Sequence, residues 1–197
     1  MPRTSSGNSQ IAYDVDYESA QQISHSINFQ LIEERLLLLQ HIKLGSQQYC
    51  EINEIGRNSS KYGADEWYGY SSDLKRIISD YVLDCAIKTR IWQDTIIDLG
   101  NKVDIRPEDK EAREGICIGV VHAGKVDLSL RESCNKIVHA TRIELVWKEK
   151  SNGSGTLIEY WDGNFNLYGK RYEESWHIEL DIESWASALS YYYFLIG

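Results

Sequence analysis

The stretch SLRESCNKIVHATR, residues 129–142, decides how the rest of the chain is read. Ser129 followed three positions later by Glu132 makes a capping box, in which the hydroxyl accepts from one orphan amide and the carboxylate reaches back to another. The spacing predicts a helix starting near Leu130. At about 100° per residue, Leu130, Cys134, Ile137, Val138 and Thr141 form an apolar-to-neutral face, and Arg131, Asn135, His139 and Arg142 fall within roughly 80° of one another beside it. Two cations, an amide and an imidazole then share one edge. That edge is either a site or the solvated rim of a packed helix whose arginines pair with carboxylates.

Upstream, two long helices are expected. Ile23, Ile27, Leu31, Leu38 and Ile42 recur near multiples of a turn, and the run Leu36 to Leu39 widens the stripe to suit burial on more than one side. Gly45 reads as a stop or kink, with Gln47 to Ile55 as a continuation before the helix-competing cluster GRNSS at 56–60. Residues 61–70 read as a Gly- and Tyr-rich connection, capped at Ser72 or Asp73. The second helix then carries Leu74, Ile77, Ile78, Tyr81, Val82, Cys85, Trp92, Ile96 and Leu99 on its seam and ends at Gly100-Asn101. Between 101 and 127 the signals mix. Residues 107–113 suit a short helix, and 115–121 suit either a strand or a buried loop. The string HAGK at 122–125 lacks the remainder of a phosphate-loop pattern.

Downstream of Arg142 the period changes from helical to alternating. Ile143, Leu145 and Trp147 alternate with charged or smaller residues, 151–155 is turn chemistry, and Thr156 to Trp161 reads as a return strand. Asp162-Gly163-Asn164 is a second turn signal, with further strands at 165–168 and 176–180. Asp181 caps a last helix whose apolar face is Trp185, Leu189, Tyr192, Tyr193 and Ile196. The strands, at about 143–180, are expected as a small antiparallel meander inserted before that helix.

Composition narrows the class. The 197 residues suit one domain over 16–197, behind a small, polar and disordered leader at 1–15. With 21 basic and 30 acidic residues the net charge is −9, which opposes long-range attraction to nucleic acid, so any polyanion must be met locally. Cys50, Cys85, Cys117 and Cys134 show no CxxC spacing and sit in apolar surroundings, which suits buried, reduced thiols and a cytoplasmic setting without metal or cofactor. His25 and His41 have no partner at a metal-binding offset. No stretch approaches the ~18 uncharged residues of a membrane span, and no apolar core marks a signal peptide. Cys134 faces the apolar side of its helix, where a thiolate nucleophile is disfavoured.

The segment Cys134-Asn-Lys-Ile-Val-His139 resembles the signature of the HEPN superfamily, in which a helix carries Arg, a small polar residue, three variable residues and His. Asn135 and His139 match, while Cys134 stands where the family has arginine. The resemblance covers about six residues and implies a mainly α, HEPN-like up-and-down helical bundle. It implies a metal-independent endoribonuclease of a defence or toxin–antitoxin system, acting as a homodimer with the two motif helices lining one cleft. His139 would then be acid or base, Asn135 an orienting group, Arg131 the compensating catalytic cation and Arg142 a substrate contact. Such a role suits an imidazole titrating near neutrality and a guanidinium fork that stabilises a phosphorane. The alternative is a non-catalytic HEPN-like module that binds a partner protein, a nucleotide or RNA through the same groove.

Overall fold

The computed structural model describes residues 25–58, 64–99, 104–151, 153 and 155–196, so the expected leader and the stop at Gly100-Asn101 lie outside them. In order the elements are α1 (Phe29–Asn53), α2 (Ala64–Leu99), α3 (Arg106–Ala112), β1 (Gly119–Ala123), α4 (Leu130–His139), β2 (Arg142–Ser151), β3 (Leu157–Arg171), β4 (Glu174–Asp181) and α5 (Ile182–Ile196). The four strands form one antiparallel sheet in the order β1-β4-β3-β2.

This is a mixed α+β fold, and it corrects the expected mainly α bundle with a small inserted meander. Two facts overturn that expectation. β1 precedes α4 and pairs with β4, so the sheet is not an insertion between two helices of a bundle. β3 is also 15 residues long, and its buried positions Trp161, Phe165 and Leu167 need a helical layer against them. A bundle would cover helix stripes with one another; here α1, α4 and α5 pack on the inner face of the sheet.

Asp162-Gly163-Asn164, expected as a turn between strands, is a bulge inside β3. Asp162 Oδ1 accepts from Asn164 N at 2.9 Å, and Gly163 takes φ of 100°, which favours glycine. Leu145 pairs with Phe165 and Trp147 with Trp161, so these three residues stand opposite Val146 alone. The turn chemistry bends the strand without ending it.

The helices form where expected with displaced ends, but α1 buries Ile32, Leu36, Leu39, Ser46 and Cys50 in place of the expected stripe. Ile27 precedes the helix, Leu31 and Ile42 are half-buried, Leu38 is exposed, and Ile23 lies outside the described residues. Asn28 caps α1, its Oδ1 accepting from Leu31 N at 3.0 Å. The helix runs through Gly45 because Ser46 and Cys50 continue its buried face, and it stops at Glu54, whose φ of 54° is left-handed. α2 begins at Ala64, ahead of the expected cap at 72 or 73. Asp65 and Glu66 complement its N-terminal dipole, and Trp67 lies buried on the same side as Leu74. Asp181 caps α5 as expected, accepting from Ser184 N at 2.8 Å, and Trp185, Leu189, Tyr192, Tyr193 and Ile196 are all buried.

The main core gathers Ile32, Leu36, Leu39, Ile78, Val82, Trp185 and Leu189 against Phe165, Leu167, Ile178 and Leu180 of the sheet. Cys50, Ile55, Trp67 and Ile158 form a smaller cluster under the far end of β3. Among the described residues no helix is long and apolar enough to cross a membrane.

Candidate functional site

α4 is held at its start by two acceptors. Ser129 Oγ accepts from Glu132 N at 3.0 Å, which is half of the expected capping box. The other half is not formed, since Ser129 N donates to Asp127 O at 2.9 Å. The next two amides are met from α3, where Asp109, 3% exposed, accepts from Leu130 N at 3.1 Å and from Arg131 N at 3.0 Å. Glu132, freed from the cap, instead accepts from Lys136 Nζ at 3.2 Å and from Asn135 Nδ2 at 3.1 Å.

The helix ends at His139, because Ala140 turns extended with ψ of 131° and Thr141 N donates to Tyr168 O at 2.8 Å. That early end divides the four residues expected on one edge. Asn135 and His139 line a groove of about 480 Å³ between α4 and the end of the β3–β4 hairpin, together with Glu132, Lys136, Lys170, Arg171 and Trp176. Arg131 points away toward α2, donating to Asp94 Oδ1 at 2.5 Å and to Gln93 Oε1 at 3.5 Å. It also helps to hold the Arg90 guanidinium below its usual range, after burial itself. Arg142 is the first residue of β2, with its guanidinium 3.9 Å from the centre of the Tyr168 ring. Tyr168 lies between Leu167 and Gly169, both buried, so the pleat puts Arg142 and Tyr168 on the outer face of the sheet, opposite the groove.

At position 134, where the resembled motif has arginine, the chain has a buried thiol. Cys134 is fully buried against the core, and burial pushes its thiol up to about 12, so the position admits neither a solvated guanidinium nor a thiolate nucleophile. Ser133, its neighbour, accepts from Trp185 Nε1 at 2.9 Å and ties α4 to α5.

Residues that the helical pattern did not single out complete the groove. Lys136 is 8% exposed with its ammonium 4.7 Å from the centre of the Trp176 ring, which forms the floor. Lys170 and Arg171 reach the groove from β3 and make no ion pair among the described residues. The His139 ring is exposed at the mouth and makes no hydrogen bond among the described residues. Past Trp176 the groove continues for about 450 Å³ along Gly124, Lys125, Val126 and residues 172–175. Beside His139 there are three full cations, Lys136, Lys170 and Arg171, against one carboxylate, Glu132. No group of three or more His, Cys, Asp or Glu among the described residues could hold a metal ion.

A second polar array crosses the outer face of the sheet. Arg142, Tyr168, His177 and His122 stack in the order of the strands, with ring centres 4.2 Å apart for Tyr168 and His177 and 4.6 Å for His177 and His122. His177 Nε2 lies 2.8 Å from Asn166 Oδ1, and His122 Nε2 lies 3.1 Å from Glu179 Oε2. The period-2 pattern of β3 and β4 was the available signal for this row. Burial, then the neighbouring His122, pulls the His177 pKa below its ordinary value of 6.5. A depressed histidine pKa means that folding favours the neutral ring. Its contribution is complete above pH 6.5 and is lost as pH falls through the lower folded value. Urea midpoints measured from about pH 8 to about pH 5 are expected to fall at the acid end, and His177→Gln is expected to flatten that fall. An equal acid slope in the variant would remove His177 from the account.

Comparison with protein-family models, with curated proteins and with solved structures finds no match, so the reading of function rests on this groove and on the short resemblance of α4.

Proposed function

We propose that the chain binds RNA, taking its phosphates in the groove between α4 and the β3–β4 hairpin. The observation that carries this reading is the local charge. In a chain of net charge −9, Lys136, Lys170 and Arg171 meet around one groove, and the last two have no carboxylate in ion-pair reach among the described residues. Surface arginines and lysines of an acidic protein ordinarily find carboxylates, and cations left open are available to a polyanion. The Asn135 and His139 pair of the HEPN-like motif borders the same groove.

Fluorescence anisotropy of the full chain with a labelled, unstructured RNA oligonucleotide tests this. Binding is expected to weaken with salt, and Arg171→Glu is expected to weaken it on the order of tenfold and to lower the salt slope by about 1. Absence of binding, or affinity and slope untouched by both Arg171→Glu and Lys170→Glu, overturns the reading.

A second reading, metal-independent cleavage of the bound strand, is favoured by the exposed and unbonded state of His139 beside these cations. An imidazole so held can take a proton from a 2′-hydroxyl or deliver one to the leaving oxygen. Arg131, committed to Asp94, is replaced in this reading by Arg171 or Lys136 as the charge that meets the phosphorane. The resemblance adds a homodimer in which two His139 edges share one cleft. Cleavage in the presence of a chelator that survives His139→Ala removes this second reading and leaves binding standing.

A further inference from the structure

We infer that the tip of the β3–β4 hairpin is a stacking post for an unpaired base, with Tyr172 as its ring, and that the groove therefore takes single-stranded RNA. The inference rests on the phosphate-binding reading of the groove and adds to it the class of strand and the residue that selects it. Arg171 pairs in register with Glu174, so the strands are joined by two residues only, Tyr172 and Glu173. Tyr172 has φ of 55°, a left-handed conformation that glycine and asparagine adopt at little cost and that a bulky aromatic residue rarely does.

The strain is not repaid inside the chain. The Tyr172 side chain is 91% exposed, and it makes no hydrogen bond and no ring contact among the described residues. Its place in space supplies the reason for it: Tyr172 borders the continuation of the groove, where Lys125, Lys136 and Arg171 alternate with Glu132, Glu173 and Glu174. It stands next to Arg171, which has no carboxylate in ion-pair reach among the described residues. A ring held out in solvent beside cations that track a phosphate chain is the arrangement by which proteins grip single strands. Every base has a π-face, and only an unpaired base can offer it to a side chain. Strain kept at an exposed position points to use of this kind, because a relaxed residue there would leave the hairpin equally well closed.

The test uses the full chain, three probes and two variants. The probes are a single-stranded oligoadenylate, a strand of the same length with the bases removed, and the same oligoadenylate paired with oligouridylate. Tyr172→Gly removes the ring while relaxing the backbone, so a loss of binding is not attributable to misfolding; Tyr172→Phe keeps the ring. The wild type is expected to prefer the single strand with bases, and Tyr172→Gly to bind it more weakly on the order of tenfold, with the base-free strand unaffected and Tyr172→Phe close to wild type. Equal affinity of wild type and Tyr172→Gly for oligoadenylate overturns the stacking role while the phosphate reading stands, provided that the base-free strand still binds in a salt-dependent way. Preference for the duplex also overturns it. Failure of all three probes to bind overturns both readings.

Discussion

Gly169→Ala is expected to destabilise the protein by about 3 kcal/mol, the upper part of the range for over-packing a filled interior. A Cβ at this position would stand 2.1 Å from Cζ2, 2.5 Å from Cε2 and 2.9 Å from Cη2 of Trp176. Trp176 is buried and faces Gly169 in the β3–β4 register, so the atoms in the way belong to a rigid ring and no flexible end can yield. Either the indole leaves its place or the two strands part. The same ring floors the groove under Lys136, so RNA affinity is expected to fall along with stability. Urea denaturation followed by circular dichroism measures the first effect. An unchanged midpoint would mean that the indole does not lie across this glycine.

Asp109→Ala is expected to cost about as much, roughly 3 kcal/mol, through a different mechanism. The carboxylate accepts from Arg113 Nε at 2.7 Å as well as from the first two amides of α4. Its loss strands one partly buried guanidinium and two buried or half-buried backbone donors together. Loss of a helix cap alone is worth about 1 kcal/mol, and the rest comes from the second unpaired amide and from the half-buried Arg113 guanidinium, which is left with Leu128 O as its acceptor. Asp109→Asn, which keeps one acceptor oxygen, is expected to recover part of the loss. Hydrogen exchange at the Leu130 and Arg131 amides is the direct readout, and unaltered protection there in the alanine variant would contradict this account of how α4 is held.

Asp109 also shows where sequence reasoning ended. The Ser129 cap, the seam of α2 and the Asp181 cap of α5 are legible because each depends on residues within a turn or two of one another, whereas the buried face of α1 lies one residue on from the expected stripe, at Ile32, Leu36 and Leu39. The acceptor from α3 lies 21 residues before Leu130, and no local pattern marks a carboxylate that will cap a helix so far along the chain. The sheet is hidden in the sequence for the same reason. β1 joins β4 across most of the second half of the chain, Gly119 standing opposite Leu180, and a five-residue strand has no periodicity strong enough to announce such a partner. Asp162-Gly163-Asn164 reads as a turn between strands, and that it makes a bulge within one strand depends on pairing with β2. In the groove, Asn135 and His139 could be found from helical spacing, while Lys170, Arg171 and Tyr172 could not, since only the closure of the hairpin over α4 brings them near. Spacing alone puts Arg142 on the helix edge, because nothing in residues 137–142 reveals that Thr141 will donate to Tyr168 and that a strand begins there.

The buried cysteines have a consequence for how opening of this molecule becomes visible. Cys50, Cys85 and Cys134 are wholly enclosed, and burial pushes their thiols up to about 11, about 12 and about 12, whereas Cys117, expected to be buried with them, is exposed ahead of β1. Alkylating and oxidising reagents attack the thiolate, so in the folded chain they meet Cys117 alone. The three silent thiols sit one on each of α1, α2 and α4. Each helix thus carries its own latent reporter, and the order in which the thiols turn reactive is the order in which the helices leave the core.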